Sequence, residues 1–149
     1  MPTAKVLIVE DSPVVRLAIR QALRNGGILE NAIFEAATAS EAIELFDREH
    51  PSVVFTDISL PIGNPSARSS SDGFFAFLAS APSPLDGGME ASRYMLNRDP
   101  TIRLIVCTGN PPDDPRVREL IKAGAFHVLE KPLRAAEVRV VLDRLRAES

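Results

Sequence analysis

The chain has 149 residues, 45% hydrophobic and 25% charged, with a formal net charge of −3. That length suits one soluble domain able to bury a core without disulfides or a structural metal. A single cysteine, Cys107, excludes an internal disulfide and a cysteine zinc cluster, and the acidic balance offers no basic surface for nucleic acid. No apolar run approaches the roughly 18 residues of a membrane helix, so a cytoplasmic protein with no membrane span is expected.

Lys5 to Val9 is a short β-branched run that ends in acid, Glu10-Asp11. Continuous apolar runs of this kind suit strands covered on both faces. Ser12-Pro13 then reads as an N-cap with proline at the first helical position. Val15, Ala18, Ile19 and Ala22 give the helix one apolar face, and Asn25-Gly26-Gly27 stops it. Ile33 to Ala36 is a weaker second strand. Thr38-x-x-Glu41 predicts a capping box ahead of a stripe of Ala39, Ala42, Ile43 and Phe46. The third strand, Val53 to Thr56, again ends in acid, at Asp57.

Ile62 to Leu85 breaks the rhythm with Pro65, Pro82, Pro84 and six serines, yet carries Phe74, Phe75 and Phe77. A loop this long is uncommon inside a compact domain. Residues 62–85 therefore read as an insertion before a helix bearing Ala91, Tyr94 and Met95. The phenylalanines leave two readings open: docking of a partner or of a second copy as a homodimer, or tucking of the loop onto its own domain. Leu104 to Cys107 is a fourth strand, and the helix after it carries Val117, Leu120 and Ile121 and closes at Gly124. A fifth strand, Phe126 to Leu129, precedes a helix with Val138, Val141, Leu142 and Leu145 on one face.

Strands alternating with helices imply an α/β fold with a five-stranded parallel sheet and right-handed crossovers. Such sheets bind ligands at the carboxyl ends of their strands. Glu10, Asp11, Asp57, Thr108 and Lys131 all follow strands and should gather on that edge. Three facing carboxylates repel unless a cation lies between them, and oxygen ligands with room for water and phosphate suit Mg²⁺. An aspartate there can act as a nucleophile toward phosphorus, with Lys131 and Thr108 neutralising phosphoryl oxygens. Taken singly, each has a plainer reading: a turn-capping Asp57, an acid pair favouring a helix N-terminus, a solvated lysine, a strand threonine. His127 and Cys107 read as structural residues.

Glu10-Asp11, Asp57-x-x-Leu60-Pro61, Thr108-Gly109 and Lys131-Pro132, in this order on this strand pattern, resemble the CheY-like receiver domains of bacterial two-component response regulators. The resemblance covers residues 1–149 as a single receiver domain, apart from the insertion. It implies a flavodoxin-like doubly wound sheet of order 2-1-3-4-5 with helices on both faces. It also implies that Asp57 accepts a phosphoryl group from the phosphohistidine of a sensor histidine kinase or phosphotransfer protein. The metal ligands would be Asp11, Asp57, Glu10 mainly through water, and the backbone carbonyl of Ser59. Lys131 would contact the phosphoryl group, the peptide bond to Pro132 would be cis, and Thr108 would move toward the phosphate. Ser59 and Asn110 occupy positions that tune the phosphoryl lifetime. The output would be contact with a downstream protein, in a switch rather than a metabolic enzyme, and the short tail after the last helix suggests a receiver acting alone.

Two departures stand out. The position where receivers carry a switching aromatic is Val128. The Asp-Gly that normally follows Leu-Pro closely falls at Asp86-Gly87, or one residue later, with Asp72-Gly73 as an alternative register. They motivate a second hypothesis, a phosphorylation-independent interaction module. A phosphatase of the haloacid dehalogenase type is disfavoured, because the second carboxylate it needs is replaced by Ser59.

Overall fold

The computed structural model describes residues 4–63 and 86–148. The elements in chain order are β1 (Val6–Val9), α1 (Pro13–Asn25), β2 (Ile33–Ala36), α2 (Ala39–Glu49), β3 (Val53–Asp57), α3 (Gly87–Arg98), β4 (Arg103–Thr108), α4 (Pro115–Ala123), β5 (His127–Glu130) and α5 (Ala135–Ala147). The strands form one sheet of order β2-β1-β3-β4-β5, parallel throughout, which is the expected doubly wound arrangement. Among the described residues no helix is long and apolar enough to cross a membrane.

β1 and β3 are buried along their whole length because both sheet faces are covered. On one face Ile8, Phe55, Ile105 and Leu129 pack with Ile19 and Leu23 of α1 and Val138, Val141, Leu142 and Leu145 of α5. On the other, Leu7, Val54, Leu104 and Val106 pack with α2, α3 and α4. Side chains that alternate between two dry layers fix the register, since a one-residue slip would exchange the layers. The strand ends, and the polar residues beyond them, are held at one level by this packing.

The start signals act as read. Ser12 Oγ accepts the N–H of Val15, and Thr38 Oγ1 accepts the N–H of Glu41. The return bond of the capping box lands one residue early: the Glu41 carboxylate accepts from Ala37 N, not from Thr38. Gly124 closes α4 with φ +113°, a left-handed conformation that favours glycine.

Two helical stripes differ from expectation. In α1, Ala18 is exposed and Leu23, four residues after Ile19, is fully buried. The apolar face therefore runs through Ile19, Ala22 and Leu23, where the heavier side chain takes the core position. In α4, Ile121 is 51% exposed and only Val117 and Leu120 are buried. This helix meets the layer beneath it along a narrow line, too narrow to cover a third position.

Most of the stretch 62–85, with Phe74, Phe75, Phe77 and Asp72-Gly73, lies outside the described residues. Its first two residues do not. Ile62 O accepts from the backbone N–H and the hydroxyl of Ser40, and Pro61 O accepts from Ala39 N, so the chain leaving β3 is pinned to the first turn of α2 as far as Ile62.

Candidate functional site

β1, β3 and β5 deliver the charged groups to one edge. Glu10 follows β1 directly and is 2% exposed, while Asp11 beside it is exposed. Asp57 closes β3 and is buried, and Lys131 follows β5. One carboxylate oxygen from each of Glu10, Asp11 and Asp57 lies within 4.8 Å of the others. The Lys131 ammonium donates to Asp57 Oδ2 at 2.9 Å and to Glu10 Oε2 at 3.0 Å. Residues 121 positions apart in sequence thus meet in one ionic cluster.

The cluster is tightly braced. Asp57 Oδ1 accepts from the backbone N–H of Ser59 at 3.0 Å, which turns the loop after β3 around the carboxylate. Ser12 N donates to Glu10 Oε1, and the Arg16 guanidinium donates to the Glu10 carbonyl at 2.7 Å while its Nε reaches Glu35. Thr108 is buried at the end of β4, one residue beyond Cys107, the register partner of Asp57. Its carbonyl accepts the N–H of Lys131, and its Oγ1 accepts the N–H of Asn110, so that among the described residues the hydroxyl proton is available to another acceptor. The Lys131–Pro132 peptide bond is cis.

Charges in this cluster do not cancel. Burial, opposed by the Lys131 hydrogen bond and reinforced by the charge of Asp57, pushes the Glu10 carboxyl up from 4.5 to about 7. For Lys131, burial alone would weaken the ammonium, but hydrogen bonds to Asp57 and Glu10 outweigh it and the pKa rises. Glu10 rises because burial outweighs its share of the one ammonium, and Lys131 rises because two carboxylates accept from it. Burial likewise raises the Cys107 thiol, so this cysteine is a protonated core residue. His127 faces Arg144 at 2.7 Å; burial and that positive charge lower its pKa, in keeping with a structural role.

Three carboxylate oxygens without nitrogen or sulfur donors form a hard set, and a carboxyl driven toward neutrality by burial and by a neighbouring carboxylate is one that a divalent cation would ionise. The residues present therefore fit a hard divalent metal. The edge combines such a set with a buried aspartate, an ammonium and an available hydroxyl proton, the parts needed to stabilise a transferring phosphoryl group.

Other residues shape the site without an obvious sequence signal. The first turn of α3 is pressed against the loop after β3: Gly87 N donates to Leu60 O at 2.9 Å, and Leu60 bridges Asp86. A β-carbon on Gly87 would lie 2.6 Å from the Leu60 carbonyl, and one on Gly88 would collide with the carbonyl of Asp57. The Gly87-Gly88 doublet is the trace this leaves in the sequence. Arg16 leaves none, since its clamp on the Glu10 carbonyl depends on how α1 leans. Among the described residues the Ser59 carbonyl has no hydrogen-bond partner, and Val128 is paired with Val106 in the sheet.

A model of the response regulator receiver domain family matches residues 6–64. The chemotaxis protein CheY of Thermotoga maritima is 26% identical over 141 residues, covering 95% of this chain and 96% of that protein. Protein-glutamate methylesterase/protein-glutamine glutaminase 3 of Hahella chejuensis is 30% identical over 128 residues, covering 85% of this chain. This chain spans only 30% of that protein's length. The receiver domain of the sensor histidine kinase PA1611 from Pseudomonas aeruginosa, with a magnesium ion coordinated in its active site cleft, has a similar fold. Its TM-score is 0.67 at 22% identity, over 95% of each chain.

Proposed function

On the premise that this chain is a CheY-like receiver domain of the two-component response regulators, we propose that Asp57 is its phosphoacceptor and that the phosphoryl group switches its protein contacts. The observation that carries this reading is the single ammonium of Lys131 bridging Asp57 and Glu10 at 2.9 and 3.0 Å, with Asp11 in the same cluster.

An Asp57 carboxylate oxygen attacks the phosphorus of a phosphohistidine; a P–O bond forms and the P–N bond breaks. The electron pair returns to the imidazole nitrogen, which takes a proton from water. Lys131 neutralises the phosphoryl oxygens, and the Thr108 hydroxyl donates to one of them. Ser59 N–H holds Asp57 Oδ1, so that Oδ2 on the Lys131 side is the attacking atom. Asp11, Asp57, the Ser59 carbonyl and Glu10 through water would hold Mg²⁺, as the magnesium in the PA1611 receiver cleft suggests. Bound there, the ion would supply positive charge that favours the ionised form of Glu10 and offsets charge on the transferring group. Partners would be a histidine kinase or phosphotransfer protein upstream and a target protein downstream.

Incubation with acetyl phosphate and Mg²⁺, followed by intact-mass measurement, tests the proposal. One phosphoryl mass should appear, and it should be absent from Asp57→Asn and from samples with chelator. No gain, or the same gain in Asp57→Asn, would favour the second reading. That reading is a phosphorylation-independent interaction module, favoured by the aliphatic Val128.

A further inference from the structure

With valine at 128, the position three residues before Lys131 has no aromatic ring to report the state of the site, and the residues around Thr108 offer another route. Asn110 N–H binds Thr108 Oγ1 at 2.9 Å, and the Asn110 amide donates to Asp114 at 2.9 Å. The Asp114 carboxylate accepts the backbone N–H of Arg116 at 2.8 Å and lies 3.5 Å from its guanidinium. The same guanidinium lies 3.7 Å from Asp86. Asp86 bridges Leu60, three residues beyond Asp57, and its own carbonyl accepts the N–H of Glu90 in the first turn of α3. Polar contacts therefore run from the Thr108 hydroxyl around the mouth of the site and back to the loop after Asp57.

A second tie lies one helical layer out. Arg93 of α3 donates to both carboxylate oxygens of Glu119 on α4, at 2.6 and 2.8 Å, and to Glu90 at 2.8 Å. A bidentate fork holds orientation as well as distance. α4 therefore cannot slide freely along α3.

A phosphoryl group on Asp57 presents new acceptor oxygens. When the Thr108 hydroxyl turns to one of them, Asn110 must follow its acceptor or lose it. Either change moves Asp114 and the first turn of α4. With the Arg93 fork resisting at the middle of the helices, the displacement falls on the longest link, Arg116 to Asp86. We propose that Arg116 is a positioning residue that couples the Thr108 loop through Asp86 to the first turn of α3, making that turn the output of the switch. The proposal rests on the phosphoacceptor reading of Asp57.

The test uses beryllium fluoride with Mg²⁺ as the phosphoryl mimic and amide hydrogen exchange as the readout. The diagnostic amides are Gly87, bonded to Leu60 O, and Glu90, bonded to Asp86 O. In the unsubstituted protein their exchange should change several-fold on adding the mimic. Arg116→Gln should take up the mimic yet lose most of that change. Arg116→Lys, and the charge-exchanged pair Asp86→Arg with Arg116→Asp, should retain it. A full response in Arg116→Gln overturns the coupling alone, because the signal would then pass directly from Asp57 to Gly88. Failure of the unsubstituted protein to take up the mimic overturns the phosphoacceptor reading and the coupling together.

Discussion

Replacing Glu10 by glutamine should make the protein more stable at pH 8 in the absence of divalent cations, and less able to bind them. Glu10 is 2% exposed, and burial and Asp57 raise its carboxyl from 4.5 to about 7. An acid whose folded pKa is raised binds its proton more tightly in the native state. Its contribution is therefore fully present below 4.5 and is lost as pH rises through about 7. That interval corresponds to about 3 kcal/mol at most. Lys131 and water at the open edge absorb part of it, so a loss of about 1–3 kcal/mol is expected between pH 5 and 8. Urea denaturation of both proteins in chelator measures it, and the difference curve isolates Glu10 from groups titrating elsewhere. Glu119 and Asp114, held low by Arg93 and by the Arg116 N–H, behave oppositely: they stabilise above their ordinary range and lose that on acidification. At pH 8, Mg²⁺ should restore the unsubstituted protein by about 2.7 kcal/mol at a hundredfold excess over Kd, and Glu10→Gln by less. Parallel pH curves for the two proteins between pH 5 and 8 would refute the reasoning.

Lys131→Met leaves Glu10 and Asp57 facing each other without their shared ammonium. A cost of about 1–3 kcal/mol is expected, below the value for a fully buried pair because Lys131 is partly exposed, and thermal melts should show it growing from pH 5 to pH 8. Gly88→Ala should cost about 3 kcal/mol in urea denaturation, since the added carbon meets the backbone of Asp57 and Ile58, which cannot swing aside. Leu23→Ala should cost about 2–5 kcal/mol while Ile121→Ala stays within about 0.5, and the reverse order would show the helical faces misassigned. Replacing residues 64–85 by a short linker should preserve the cooperative urea transition and phosphorylation while changing oligomeric state or partner binding; loss of folding would place the segment in the core.

The parts of this protein legible in its sequence are those fixed by period and chain order. Runs such as Val53 to Thr56 announce strands covered on both faces, and the acid after the first, third and fifth runs announces where those strands stop. Counting strand ends then suffices to assemble Glu10, Asp11, Asp57 and Lys131, because parallel strands in register bring all their carboxyl ends to one edge. Period says less about how wide a buried face is. Ala18 and Leu23 compete for the rim of one stripe, and only the tilt of α1 on the sheet decides for leucine. Contacts across elements are less legible still. Nothing in the spacing of Asp86, Asp114 and Arg116 distinguishes a linked trio from three solvated charges. Gly88 is intermediate: a glycine doublet marks a close approach, but what approaches is a tertiary fact.

Glu10 and Arg116 carry opposite halves of one physical problem. Hydrophobic layers on both faces of the sheet hold β1 and β3 in fixed register, so the carboxylates at their ends cannot relax apart. Burial first, and their mutual repulsion second, raise the pKa of Glu10 in the native state. A ligand that neutralises the edge therefore gains affinity from a frame that cannot adjust by itself, and a ligand shifts a conformation only by its differential affinity for two states. β1 and β3 are packed on both faces. The first turns of α3 and α4 are joined at 3.7 Å between partly exposed side chains, and the proposed coupling places its second state there. A rigid sheet with charge at its edge and a weak ionic link between two helix N-termini is a division of labour. The sheet makes binding sensitive to charge, and the link makes geometry sensitive to binding. Strengthening Arg116–Asp86 should accordingly leave metal affinity nearly unchanged while suppressing the response of α3.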